Sequence, residues 1–295
     1  MKKLLIATTA LVATAGMAAA EVKITGSAEI GMRDAGGTIG VQMHSDMDIG
    51  FKLSGASDNG LTFGASIDLD EVSGGISNSG GSQAVYVSGA FGKITMGDTD
   101  GALDKVNAEV GSLSAIADDH TGHAGYNGGS GLDNNEVLRY DTSVGNFAVS
   151  ASLQMDDTAN GGNDIVAYGV STTVGTMAVS VAYQSDDAND VTAVSAKTDL
   201  SGLSVTVNYS EKSTASTATS YEHTAVGLGY SMGDVALSAN FGMYDYGNNK
   251  SADGVGFAAN KSLGGGATVM VGYHTSNSTT NVTTDSISVG LGLSF

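Results

Sequence analysis

The chain of 295 residues carries 31 acidic against 12 basic residues, a formal net charge of −19, with 43 glycines and no proline, tryptophan or cysteine. Such an excess of acid leaves no basic surface able to neutralise phosphates, which argues against nucleic-acid binding. Without cysteine there is no disulfide framework, thiolate metal site or cysteine nucleophile. Past the N-terminal stretch, no apolar run approaches the ~18 residues of a membrane helix.

Met1-Lys2-Lys3 is a short basic segment, Leu4 to Met17 is apolar and small, and Ala18-Ala19-Ala20 gives a small-x-small site before Glu21. This predicts a secretory signal peptide over 1–20, cleaved after Ala20, with 21–295 as one domain. The other reading, an anchor helix, needs roughly 20 apolar residues and would not carry a cleavage site.

From Glu21 onward the chain alternates. Val22, Ile24, Ala28, Ile30 and Met32 oppose Lys23, Thr25, Ser27, Glu29 and Arg33; Leu61 to Leu69 oppose Thr62 to Asp70. The same alternation runs through Phe147–Gln154, Met177–Tyr183, Leu203–Ser210, Val235–Met243 and Ile287–Phe295. Period two gives strands with one apolar and one polar face. A disordered Gly/Ser-rich chain would lack this aliphatic alternation and is usually rich in proline. A soluble sandwich would alternate too, but its strands run nearer 5–6 residues. Ten residues tilted by ~40° cover the ~25 Å apolar band of an outer-membrane barrel.

Connections alternate in length as well. Short turns fall at Ser57–Gly60, Ala90–Gly92, Ser143–Asn146, Thr173–Thr176, Asp199–Gly202, Ser231–Asp234 and Ser262–Gly266. Longer polar stretches lie near 34–40, 71–83, 98–135, 155–164, 185–190, 213–220, 245–254 and 276–284. Short turns at one rim and long loops at the other predict an all-β, 16-stranded antiparallel transmembrane β-barrel, wide enough for an aqueous channel. Fourteen or eighteen strands also fit, because 41–54 and 84–97 parse poorly. The third long stretch, near 98–135, contains a short helix candidate over 101–110, with Asp100 as its N-cap and Leu103, Val106 and Val110 spaced to pack on a wall.

Taken in order, the leader, the start Glu21-Val22-Lys23-Ile24-Thr25-Gly26, Gly-Lys-Ile-Thr-Met-Gly-Asp-Thr at 92–99, Leu138-Arg139-Tyr140-Asp141 and the terminal Phe295 resemble the Gram-negative outer-membrane porin family. The likeness covers 21–295 and is to the general-diffusion type, especially its glycine-rich, acidic alphaproteobacterial members. It implies a third loop folded into the barrel, a homotrimer in outer-membrane lipid with one pore per subunit, and a C-terminal strand ending in Phe295 that the barrel-insertion machinery reads. The departure is arginine: past the leader only Arg33 and Arg139 remain, so the arginine cluster opposite the loop in many porins is thin.

Charge then suggests a mechanism. A lipid-facing Lys or Arg at mid-membrane costs ~2–4 kcal/mol, so Lys23, Lys52 and Arg139 should face the lumen or a rim. Asp98, Asp100, Asp104, Glu109, Asp118 and Asp119 line or flank the long loop and are expected to oppose a basic wall of Arg33, Lys52 and Arg139. Such a transverse field would order water, favour small polar solutes and give a mild cation preference. No catalytic, metal or cofactor set is indicated, although acidic loops could hold calcium weakly. His120 and His123 beside Asp118 and Asp119 read as surface-loop residues rather than ligands. Gly161–Gly169 only faintly matches a calcium-binding nonapeptide, which needs stacked copies. A barrel enzyme would need a nucleophile–base pair that the five histidines do not suggest. A secreted adhesin would need neither membrane-length strands nor a terminal phenylalanine.

Overall fold

The computed structural model describes residues 20–72, 75–77, 83–123, 137–155, 164–186, 188–214, 220–247 and 249–295. Residues 1–19 of the expected leader, the loop stretch 124–136 and residues 161–163 of the nonapeptide-like segment lie outside them.

The first strands are β1 (Glu21–Asp34), β2 (Gln42–Ala56), β3 (Thr62–Val72), β4 (Gly75–Ser77), β5 (Gln83–Gly89) and β6 (Gly92–Gly97). Helix α1 (Ala102–Val106) and a 3-10 turn at Ile116–Asp118 follow. Then come β7 (Val137–Val144), β8 (Phe147–Gln154), β9 (Ile165–Val174), β10 (Met177–Ser185), β11 (Asn189–Leu200) and β12 (Leu203–Thr214). The chain ends with β13 (Tyr221–Met232), β14 (Val235–Asp245), β15 (Ser251–Gly264), β16 (Ala267–Asn277) and β17 (Thr283–Ser294).

Among the described residues all pairings are antiparallel, and β1 pairs with β17 as well as β2, so the sheet closes on itself. Sixteen strands form the ring; β4 is a spur that folds back on the end of β3 and leaves β3 to pair with β5. The seven short turns fall where the glycines predict them, as at Gly145 and Gly175, whose φ of 60° and 63° suit two-residue hairpins. The ambiguous stretches resolve as one 15-residue strand, β2, and as the short hairpin β5–β6.

Burial is inverted relative to a soluble protein. Val207 is 45% exposed and Val289 50%, while their neighbours Asn208 and Ser288 are 2% and 1% exposed. A closed sheet has one outer and one inner surface, so the aliphatic rows face outward and the hydroxyl and amide rows inward. Such an outward apolar surface is of the kind that suits an apolar surrounding, and ring closure pairs the strand-edge groups that would otherwise stay open. Phe295 carries the ladder one residue past β17. Its N–H donates to the Gly26 carbonyl at 2.8 Å, with the residue left 80% exposed on the outside.

Candidate functional site

The segment after β6 runs along the inner wall, and each anchor is traceable to a residue type. The Ala102 N–H donates to Ser152 Oγ of β8 at 2.8 Å, and the Ala108 N–H to Ser195 Oγ of β11 at 2.9 Å. Asn208 of β12 donates to the Ala108 carbonyl (2.9 Å), and Asn260 of β15 to that of Ser114 (3.0 Å). The Ala117 N–H donates to Glu29 Oε2 of β1 at 2.9 Å. The segment then doubles back, and Asn240 of β14 donates to the His120 carbonyl (2.9 Å). Backbone carbonyls away from water need such partners, and inward asparagines on three strands supply them.

Two further features seat the loop. Leu103 and Ala102, both fully buried, pack with Val106 against Ala167, Ala182, Val191 and Ala193. Here β9, β10 and β11 turn apolar side chains inward, so the strict alternation breaks under α1. Inward glycines let the two backbones touch: a Cβ on Gly227 would fall 1.9 Å from the Val110 carbonyl oxygen, and one on Gly256 1.9 Å from that of His120. The expected packing of Leu103, Val106 and Val110 is therefore observed, with Val110 also buried. The helix is shorter than expected, and its N-cap is Gly101, not Asp100, with no side-chain cap bond.

Most of the acids named from sequence border the lumen on this loop. Asp98, Asp100, Glu109 and Asp118 are exposed, Asp104 is half-buried and Asp119 is fully buried. Burial first, then the carboxylates of Asp100 and Asp68, push the Asp98 carboxyl above its usual range. Glu109 is pushed up too, by lost hydration inside the lumen and then by Asp104, with His120 pulling the other way.

The basic residues depart from the expected arrangement. Arg33 and Arg139 do not stand across open space from the loop but clamp it. Arg139, 5% exposed, donates to Thr99 Oγ1 (2.9 Å), the Asp100 carbonyl (2.6 Å) and Asp141 Oδ2 (3.0 Å) at the loop's root. Arg33 lies 3.4 Å from Asp119 at the far end. A guanidinium beside a fixed carboxylate and carbonyl pairs locally, because short charge-assisted hydrogen bonds gain more than attraction across intervening water. Lys52 remains exposed, in register with Lys23.

Lys93, Lys105 and Glu29 are not singled out by sequence as site residues, and His120 and His123, expected on a surface loop, are instead half-buried against the inner wall. Two cavities of about 680 and 420 Å3 share Lys93 and Arg139; Lys105 lines the first, Lys23, Lys52 and Asp98 the second. Lys93 Nζ sits 4.4 Å from the Tyr86 ring centroid. The histidines converge on the loop: His274 meets Asp119 (3.0 Å), His123 meets Asn240 (3.0 Å) and lies 6.0 Å from the His223 ring, and His44 meets Glu29 (3.1 Å). An inward parity was the available signal for His44, His223 and His274, but the loop that gathers them is distant in sequence. Among the described residues no group of three or more His, Cys, Asp or Glu side chains could hold a metal ion.

The fold and site together define a transmembrane β-barrel with an apolar exterior and a lumen partly filled by its own third long loop. Comparison with known proteins agrees. The model of the family described as Gram-negative porin matches residues 7–281. A porin of Rhodobacter capsulatus is 32% identical over 178 residues, and the match spans 58% of this chain and 58% of that relative's length. A porin structure refined at 1.8 Å superposes with a TM-score of 0.73 at 25% identity, covering 93% of this chain and all of that one. A triple mutant of Rhodopseudomonas blastica porin gives 0.74 at 18% identity, again over 93% of this chain and all of the other. The chain belongs to the Gram-negative porin family, whose members are channel proteins and not enzymes.

Proposed function

We propose that the chain is a general-diffusion porin: a water-filled channel through the Gram-negative outer membrane for passive passage of ions and small hydrophilic solutes. The observation that carries this reading is the inverted burial, with aliphatic rows outward and polar rows around a lumen that keeps open space beside the loop. Purified protein should swell liposomes in sugar solutions and give stepwise conductance in planar bilayers. Absence of both would refute it.

In this reading residues 98–123 are the constriction. Asp98, Asp100, Asp104, Glu109 and Asp118 form its acidic side, and Lys23, Lys52 and Lys93 the facing basic side. Arg33, Arg139 and Asp119 hold the loop in place. The overall excess of acid supports a mild cation preference; a reversal potential of anionic sign in a neutral salt gradient would reject it. The acidic loops could bind calcium weakly. The functional unit is a homotrimer in outer-membrane lipid, exported by residues 1–20 and inserted by machinery that reads the strand ending in Phe295. Export would be tested by the N-terminal sequence of the protein recovered from membranes, and the trimer by its mass in detergent.

A further inference from the structure

Three tyrosines gather on the lumenal side of the wall. The rings of Tyr221 and Tyr244 meet edge-on with centroids 5.1 Å apart, Tyr221 and Tyr246 are 5.5 Å apart, and Tyr244 and Tyr246 stack at 6.1 Å with 22° between planes. His223 continues the cluster, 4.5 Å from Tyr244. By contrast Tyr140, Tyr168, Tyr183, Tyr209, Tyr230 and Tyr273 are exposed on outward faces, where tyrosine serves the lipid interface. The inward three cannot serve it. Tyr221 opens β13, Tyr244 lies at the end of β14 and Tyr246 just past it, so the cluster sits at the long-loop mouth of the lumen.

Beside it lies a cavity of about 370 Å3, walled by Tyr244 and Tyr246 and rimmed by Asp253, Asn277, Ser278 and Thr280. Asn277 Nδ2 donates to Asp253 Oδ2 at 3.1 Å and its Oδ1 accepts from Thr283 at 2.7 Å, which fixes the amide plane. We propose that this mouth cavity is a saccharide-binding subsite. The electron-rich face of a tyrosine ring attracts the C–H face of a pyranose, and a concave aromatic wall with a few fixed polar groups is the usual build of a small-molecule site. A rim of hydroxyls, an amide and a carboxylate both donates and accepts, as a polyol requires. An organic ammonium, which only donates, would leave the donors of that rim unused. The inference rests on the channel reading, since the sugar arrives through the mouth.

The test uses purified full-length protein in a planar bilayer with maltotriose added on the long-loop side. Conductance should fall saturably. Tyr246→Ala should raise the half-saturating concentration at least about tenfold with conductance in salt alone unchanged, and Tyr246→Phe, which keeps the ring, should behave as the parent. If Tyr246→Ala does not assemble, Asp253→Ala is read the same way. A linear, non-saturating fall like that given by polyethylene glycol of equal size overturns the proposal. So does a parent-like response of Tyr246→Ala, or saturable block by n-butylammonium with none by maltotriose. A parent protein that gives no conductance in salt refutes the channel itself, a separate result.

Discussion

Asp119, fully buried at the far end of the loop, lies 3.4 Å from the Arg33 guanidinium on β1. His274 approaches the same carboxylate from β16 at 3.0 Å. One acid thus ties the loop tip to two strands, while the ring itself depends on backbone ladders. Asp119→Ala should leave barrel assembly intact but free the tip, at a local cost on the order of 2 kcal/mol, moderated because Arg33 is 34% exposed. Larger and noisier single-channel conductance with unchanged heat-modifiable gel migration is the expected outcome.

The glycine seat makes a second prediction. Gly256→Ala would set a Cβ 1.9 Å from the His120 carbonyl oxygen, a backbone atom with nowhere to go. Overpacking of that kind costs about 1–3 kcal/mol, so the loop should lift from β15 and a protease should cut it faster. Gly26→Ala is the control, since its Cβ would meet nothing closer than 3.6 Å. Equal cleavage rates in the two variants would contradict the seat.

A third concerns acid. Asp98 and Glu109 have carboxyl groups shifted upward, chiefly by lost hydration. A raised carboxylate pKa means that protonation begins at higher pH than for an ordinary Asp or Glu. As pH falls from neutral, cation preference should therefore start to drop above the usual carboxylate range. In Glu109→Gln the early part of the drop should shrink. Reversal potentials measured from neutral pH down to about 4 cover the window.

Lys23 and Lys52 sit opposite one another on adjacent strands and line the same open cavity. Replacing both by glutamate should increase cation preference without altering the fold, because each is exposed to the lumen. An unchanged reversal potential would remove these lysines from the ion path.

The outward face can be probed directly. Val207→Arg places a charge on the exterior of β12 and should cost about 2–4 kcal/mol if that surface faces lipid at mid-membrane. Reduced folding yield into bilayers, with normal solubility in denaturant, is the expected sign.

How much of this was legible beforehand follows from range. Strands, turns and their alternation are local, and residues such as Gly145 and the Ile287–Phe295 row announce them through φ preference and period two. The loop's length and its apolar Leu103, Val106 and Val110 were equally local. What stayed hidden is which wall residues receive the loop. Asn208, Asn240 and Asn260 look like any inward polar residues, and Gly227 and Gly256 like any strand glycines. Arg33 and Arg139 could be assigned a face but not a partner, because Asp119 and Asp100 reach them only through the fold. Lys93, His44, His223 and His274 show an inward parity but not the loop that gathers around them, which lies far away in sequence.

The pairing order has a consequence for biogenesis. Around the ring, strands bond to near neighbours in sequence, save where β17 meets β1. Zippering from hairpin to hairpin is entropically cheap, and the whole loop-closure cost falls on that final seam. A sheet not yet sealed at that seam would present two raw borders, β1 and β17, each able to capture a strand from another molecule. Assembly of this protein should therefore be most vulnerable to aggregation at its last step, and a short peptide copying 283–295 should trap it there.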